Sequence, residues 1–62
     1  MKFAELKRYL KYKGCRKIFE DSNHERWYSP LSNQKFWLSR HNGEDVKPGT
    51  LNAILKQAGL KG

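Results

Sequence analysis

The chain has 62 residues and a net charge of +7, from thirteen Lys and Arg against six Asp and Glu. A chain this short buries only about 60% of the surface its unfolded form exposes, which excludes two lobes around a deep cleft. It leaves one thin-cored domain, residues 1–62, in which any active site is shallow. Cys15 is the only cysteine, which excludes an internal disulfide, and one thiol with two histidines makes no zinc pattern, so no metal or other cofactor is expected.

The opening stretch MKFAELKRYL carries charges throughout and no apolar run. Neither a signal peptide nor a membrane span is expected, and the cytoplasm is the expected compartment. From Lys2 to Lys13 the spacing predicts a helix, because Phe3, Leu6 and Leu10 recur at three- and four-residue intervals and share one face. Tyr9 and Lys13 lie at the margin of that face. The charge run Lys7, Arg8, Lys11 and Lys13 reads as a solvated face, with contact to RNA the less favoured role. Gly14 can adopt the left-handed conformation that ends a helix.

CRKIFE (Cys15 to Glu20) reads as a short strand, with Cys15 a small apolar residue at the core margin. DSN follows as a turn, because Asp, Ser and Asn bond their own backbone. HERWYS and KFWLSR are then two aromatic-rich runs around PLSNQ, the pattern of a hairpin. Setting Trp27 opposite Phe36 puts Trp27, Phe36 and Leu38 on a core face, and His24, Arg26, Tyr28, Lys35 and Trp37 on an open face. A slip of one residue would pair Trp27 with Trp37 and sort the polar residues less cleanly. In either register His24 lies near Ser39, Arg40 and His41.

HNGEDVK reads as a polar loop and PGTLNAILKQAGL as a second helix, with Pro48 in its first turn. Leu51, Ile54, Leu55 and Ala58 form its apolar stripe, Gly59 closes it, and Leu60 folds back on Leu55. The order helix, strand, strand, strand, helix predicts an α+β fold. Both helices cover one face of a three-stranded antiparallel sheet, and the other face stays open. The basic charge, accompanied by two Trp, three Tyr and three Phe, points to a polyanion partner, with RNA or DNA foremost.

SNHERWYSP, RH and VKPGTLNAILKQAGL together resemble the HicA family of small toxins from bacterial toxin–antitoxin pairs. The first helix and its end, AELKRYLKYKGC, resemble the family's opening helix. KPGTLNAILKQAGL is the most specific part and carries fold identity, while Ser22-x-His24 carries the chemistry. The resemblance implies a fold like the double-stranded-RNA-binding domain and cleavage of mRNA with His24 essential. It also implies a HicB-type antitoxin that binds the toxin and covers the histidine. One departure stands out: Asp21 occupies a position where the family usually has glycine. Glycine lets a phosphate approach the backbone closely, whereas Asp21 brings negative charge that Arg16, Lys17 and Arg26 can only partly offset.

RNA contains its own nucleophile, the 2′-hydroxyl. A metal-free ribonuclease needs a proton-transfer group, and histidine, with an ordinary pKa of ~6.5, suits neutral pH. His24 is therefore the candidate general base or acid, with His41 the weaker candidate for a second proton carrier. Arg40 and Lys35, with Arg26, are candidates to hold the phosphate, and Tyr28 and Trp37 to stack on bases. Two other readings compete. A non-catalytic RNA-binding module predicts binding without cleavage, and an interaction domain for an acidic protein predicts no RNA binding at all.

Overall fold

A computed structural model describes residues 1–61. Gly62, the last residue of the expected domain, lies outside the described residues. The chain runs through helix α1 (Phe3–Tyr12), strands β1 (Arg16–Glu20), β2 (His24–Ser29) and β3 (Gln34–Ser39), and helix α2 (Pro48–Gln57). The strands form one antiparallel sheet in the order β1-β2-β3. This is the α-β-β-β-α fold expected of a double-stranded-RNA-binding-domain-like chain.

The core explains why both helices sit on one side of the sheet. Phe3, Leu6 and Leu10 of α1 and Ile54 of α2, with Ala58 just beyond it, are buried with Trp27, Phe36 and Leu38 of the hairpin. Val46 and Cys15 complete the cluster, and Leu51, Leu55 and Leu60 pack on its edge. The hairpin register is the one that this alternation demands: Trp27 pairs with Phe36, His24 with Ser39 and Tyr28 with Lys35. Asn33, at φ 56°, turns the chain between β2 and β3, a conformation that Asn tolerates better than most residues.

Both helices end in the same way. Gly14 (φ 100°) and Gly59 (φ 76°) take the left-handed conformation. The amides of Cys15 and Leu60 then donate back to the carbonyls of Leu10 and Leu55, each at 2.9 Å. These are the long bonds of Schellman caps. The start of α1 is satisfied differently. The Phe3 and Ala4 amides donate to the carbonyls of Glu44 and Asn42 at 3.0 and 3.1 Å. Helix amides without an internal partner thus tie the polar segment after β3 to α1.

Two features depart from the sequence reading. Lys7 belongs to no solvated run: it is 8% exposed, and its ammonium lies 3.1 Å from the Glu25 carboxylate, which is likewise buried. Lys7 Nζ also donates to Asn42 Oδ1 at 2.6 Å, and the Trp27 indole N–H donates to Glu25 Oε1 at 3.0 Å. Alternation puts Glu25 on the core face beside Trp27, so its charge needs a partner from above. Lys7, one turn before Leu10 on the inner face of α1, supplies it. Burial of a charge is tolerable only with such pairing.

The second departure is in β1. Every residue of this strand is exposed, and its register slips between Lys17, opposite Trp27, and Phe19, opposite Arg26. Ile18 is the extra residue of a β-bulge, which breaks strict alternation. Arg16 and Phe19 both fall on the open face, in rows with Tyr28 and Arg26 respectively. Regular alternation after Arg16 would have put Ile18 there instead.

Candidate active site

The turn between β1 and β2 is built by Asp21. Its Oδ1 accepts the Asn23 and His24 amides at 2.9 and 2.7 Å, while its own amide donates to the His24 carbonyl at 2.9 Å. The bond from the Asn23 amide, followed by that from His24, holds the Asp21 carboxyl below its ordinary pKa. Asp21 has no positive φ, so it does not imitate glycine. It stabilises the turn through its side chain instead. Two amides that a glycine would leave for a bound anion are already taken.

His24 opens β2 as an exposed residue, and with Asp21 and Trp37 it lines a shallow depression on the open face. Trp37 is the centre of the surrounding surface. The His24 ring meets it edge-on at 6.2 Å between centroids, the Phe19 ring does the same at 6.5 Å, and the Arg26 guanidinium lies 4.7 Å from its centre. Among the described residues Arg26 has no ion-pair partner, so its charge stays available beside the depression.

The expected site residues separate into groups. His24, Arg26 and Trp37 come together. Tyr28 and Lys35 share the face but form a row two residues beyond Arg26 and Trp37 and four beyond His24, about 13 Å from His24 at the rise of a strand. There the Arg16 guanidinium covers the Tyr28 ring at 5.0 Å, and the Tyr28 hydroxyl bonds Asn33 Oδ1 at 2.6 Å. Arg40 lies beside His24 through its backbone, its amide donating to the Asn23 carbonyl at 3.0 Å. Its side chain, however, pairs with Glu20 at 3.2 Å. The Lys17 ammonium reaches the same carboxylate at 2.6 Å, and this bond, more than the Arg40 charge, holds Glu20 below its ordinary pKa. The Arg40 charge is therefore partly engaged before any phosphate arrives. Ser22 is exposed in the turn, and His41 is exposed after β3 with its amide bonded to Ser39 Oγ at 3.1 Å.

Sequence reasoning missed Phe19, whose placement depends on a bulge, and the double acceptance by Asp21. The turn signal DSN marks the place of the second but not the bonds. A cluster of three or more His, Cys, Asp or Glu side chains suited to a metal is absent among the described residues.

A family model described as the HicA toxin of bacterial toxin–antitoxin matches residues 3–60. The chain belongs to the HicA toxin family. The match spans both helices and all three strands, so the HicA assignment covers the fold and the surface around His24 alike, and it gives the chain a toxin's role in a toxin–antitoxin system. Comparison with curated proteins and with solved structures returned no match.

Proposed function

We propose that this HicA-family toxin is a metal-independent endoribonuclease that cleaves mRNA in the cytoplasm, with His24 as its proton-transfer residue. The observation that carries the reading is the depression holding His24 beside the Trp37 ring and the Arg26 guanidinium on the open face. In the reaction the RNA 2′-oxygen attacks the adjacent phosphorus, the bond to the 5′-oxygen breaks, and a proton moves from the attacking to the leaving oxygen. His24 takes or delivers that proton, and a positioned group of this kind contributes about 10²–10⁴-fold. Arg26 neutralises charge developing on the phosphate, and Arg40 joins it by exchanging Glu20 for the phosphate. Lys35 and Tyr28, further along the face, meet the backbone of neighbouring nucleotides. Ser22 and His41 flank the strand ends and contact RNA, with His41 the weaker candidate for a second proton carrier.

The partner of such a toxin is a HicB-type antitoxin, which neutralises it by covering the His24 face. Asp21 favours a second reading, a non-catalytic RNA-binding module or degenerate toxin. Its carboxylate occupies the turn amides and places a negative charge where the phosphate is to sit.

One experiment separates the two. Purified protein and its His24→Ala variant are incubated with an mRNA transcript, with and without EDTA. The variant should remain folded, since His24 is exposed and its side chain contributes no hydrogen bond to the core. Cleavage should disappear in the variant and persist with EDTA in the parent. RNA binding should weaken steeply with salt in both, as released counterions require. Cleavage retained by the variant would remove His24 from the mechanism. Binding without cleavage by the parent would establish the second reading.

A further inference from the structure

We propose that Phe19 and Trp37 form a base-stacking subsite beside His24, which makes unpaired RNA the substrate and Phe19 a substrate-positioning residue. The inference rests on the ribonuclease reading and adds to it the class of RNA and the group that selects it.

Three observations converge on this surface. Phe19 on β1 and Trp37 on β3 are 56% and 48% exposed, in a sheet whose core-facing aromatics, Trp27 and Phe36, are 1% exposed. Large rings left outside while a thin core lacks apolar area call for an occupant. The two rings are also held in place: they meet edge-on at 86°, His24 braces the indole at 79°, and Arg26 lies over it. Finally, Phe19 reaches this face only because the bulge at Ile18 resets the alternation of β1, and bulges commonly re-aim a side chain beside a functional site.

Charge identifies the occupant. The rings are interleaved with Arg26, and Arg16, Tyr28 and Lys35 extend the same face, within a chain of net charge +7. A polyanion with flat apolar faces at regular intervals fits this surface. Single-stranded RNA has that chemistry, because each base offers a π-face to an aromatic ring and each phosphate a partner to a guanidinium. In a duplex the base faces are already stacked and only backbone and groove edges are offered. The fold by analogy points to duplex RNA, yet fold does not determine ligand; the exposed rings require a base that is free. A base laid on Trp37 lies against the depression that Trp37 itself lines with His24 and Asp21.

The test uses the parent and the His24→Ala protein, which is expected to hold RNA without cutting it, and a short unstructured RNA alone or annealed to its complement. Trp37 is the exposed one of two tryptophans, so quenching of indole fluorescence reports stacking at the subsite. The single strand should quench and the duplex should not. Adding Phe19→Ala should weaken single-strand binding on the order of tenfold, the scale of one lost base stack, while Phe19→Tyr should restore it. If neither the parent nor the His24→Ala protein binds RNA, the ribonuclease reading fails and takes this inference with it. If it binds RNA but quenching is equal with duplex, or Phe19→Ala binds as well as its parent, the subsite is refuted and the ribonuclease reading stands. Loss of antitoxin binding in Phe19→Ala with RNA binding intact would assign the rings to a protein partner and likewise refute the subsite.

Discussion

Replacing Lys7 with alanine should cost more stability than replacing any other lysine paired with a carboxylate in this molecule. Lys7 and Glu25 face each other at 3.1 Å with side-chain exposures of 10% and 9%. Without the ammonium, the Glu25 carboxylate keeps only the Trp27 indole N–H. Removing one partner of a buried pair costs about 3–5 kcal/mol. At ~0.05–0.15 kcal/mol per residue, 62 residues give a total stability of roughly 3–9 kcal/mol. The substitution therefore removes a third of the margin at the least and all of it at the most. Lys17 provides the control. Its bond to Glu20 is shorter, at 2.6 Å, but both side chains are substantially exposed, so Lys17→Ala should barely move the unfolding midpoint. The double variant Lys7→Met with Glu25→Leu removes both charges and should recover most of the loss. It stays about 1–3 kcal/mol below the parent because the indole N–H is left without its acceptor. Urea unfolding followed by far-ultraviolet circular dichroism measures all three. A Lys7→Ala protein within about 1 kcal/mol of the parent would refute the reasoning, since only solvent-screened pairs are worth so little.

Two further outcomes follow from the turns. Gly59→Ala forces a side chain into the left-handed region and brings its Cβ to 3.2 Å from that of Ser32; it should lower stability by about 1–2 kcal/mol or more, whereas Gly43→Ala, which meets nothing, should be neutral by the same urea titration. The Asp21 carboxyl, held low by the Asn23 and His24 amides, stabilises the turn above its unfolded pKa, near 3.8, and loses that contribution as pH falls through its lower folded value. The amide resonances of Asn23 and His24 should therefore shift together in acid with a midpoint below 3.8, and a midpoint at or above it would mean that the two bonds do not favour the ionised form.

Much of this fold was legible because one side of each helix and of the β2–β3 hairpin is buried. Trp27, Phe36 and Leu38 have a single arrangement that hides all three, and that arrangement sets the hairpin register. Gly14 and Gly59 marked the helix ends because the caps require a left-handed residue. What escaped the sequence lacked such a constraint. β1 has no buried side chain to set its phase, so nothing in CRKIFE announces that Ile18 is the extra residue. Lys7 looks like its neighbours Arg8 and Lys11, and only the three-dimensional position of Glu25 separates it from them. The same holds for Arg40: its nearness to His24 follows from pairing, but its bond to Glu20 joins the ends of two strands that are not neighbours in the sheet.

The exposure of β1 along its whole length has an evolutionary side. The strand that carries Phe19 and Arg16 buries none of its side chains, and their contacts are to exposed or half-buried groups such as Trp37, Tyr28 and Arg40, so exchanging them leaves the packing of Trp27, Phe36 and the helices untouched. Variation there can change what the open face grips while foldability is held constant by other residues. A small toxin under pressure to alter its targets, or to escape one antitoxin and accept another, has in this strand a place to do so in single steps.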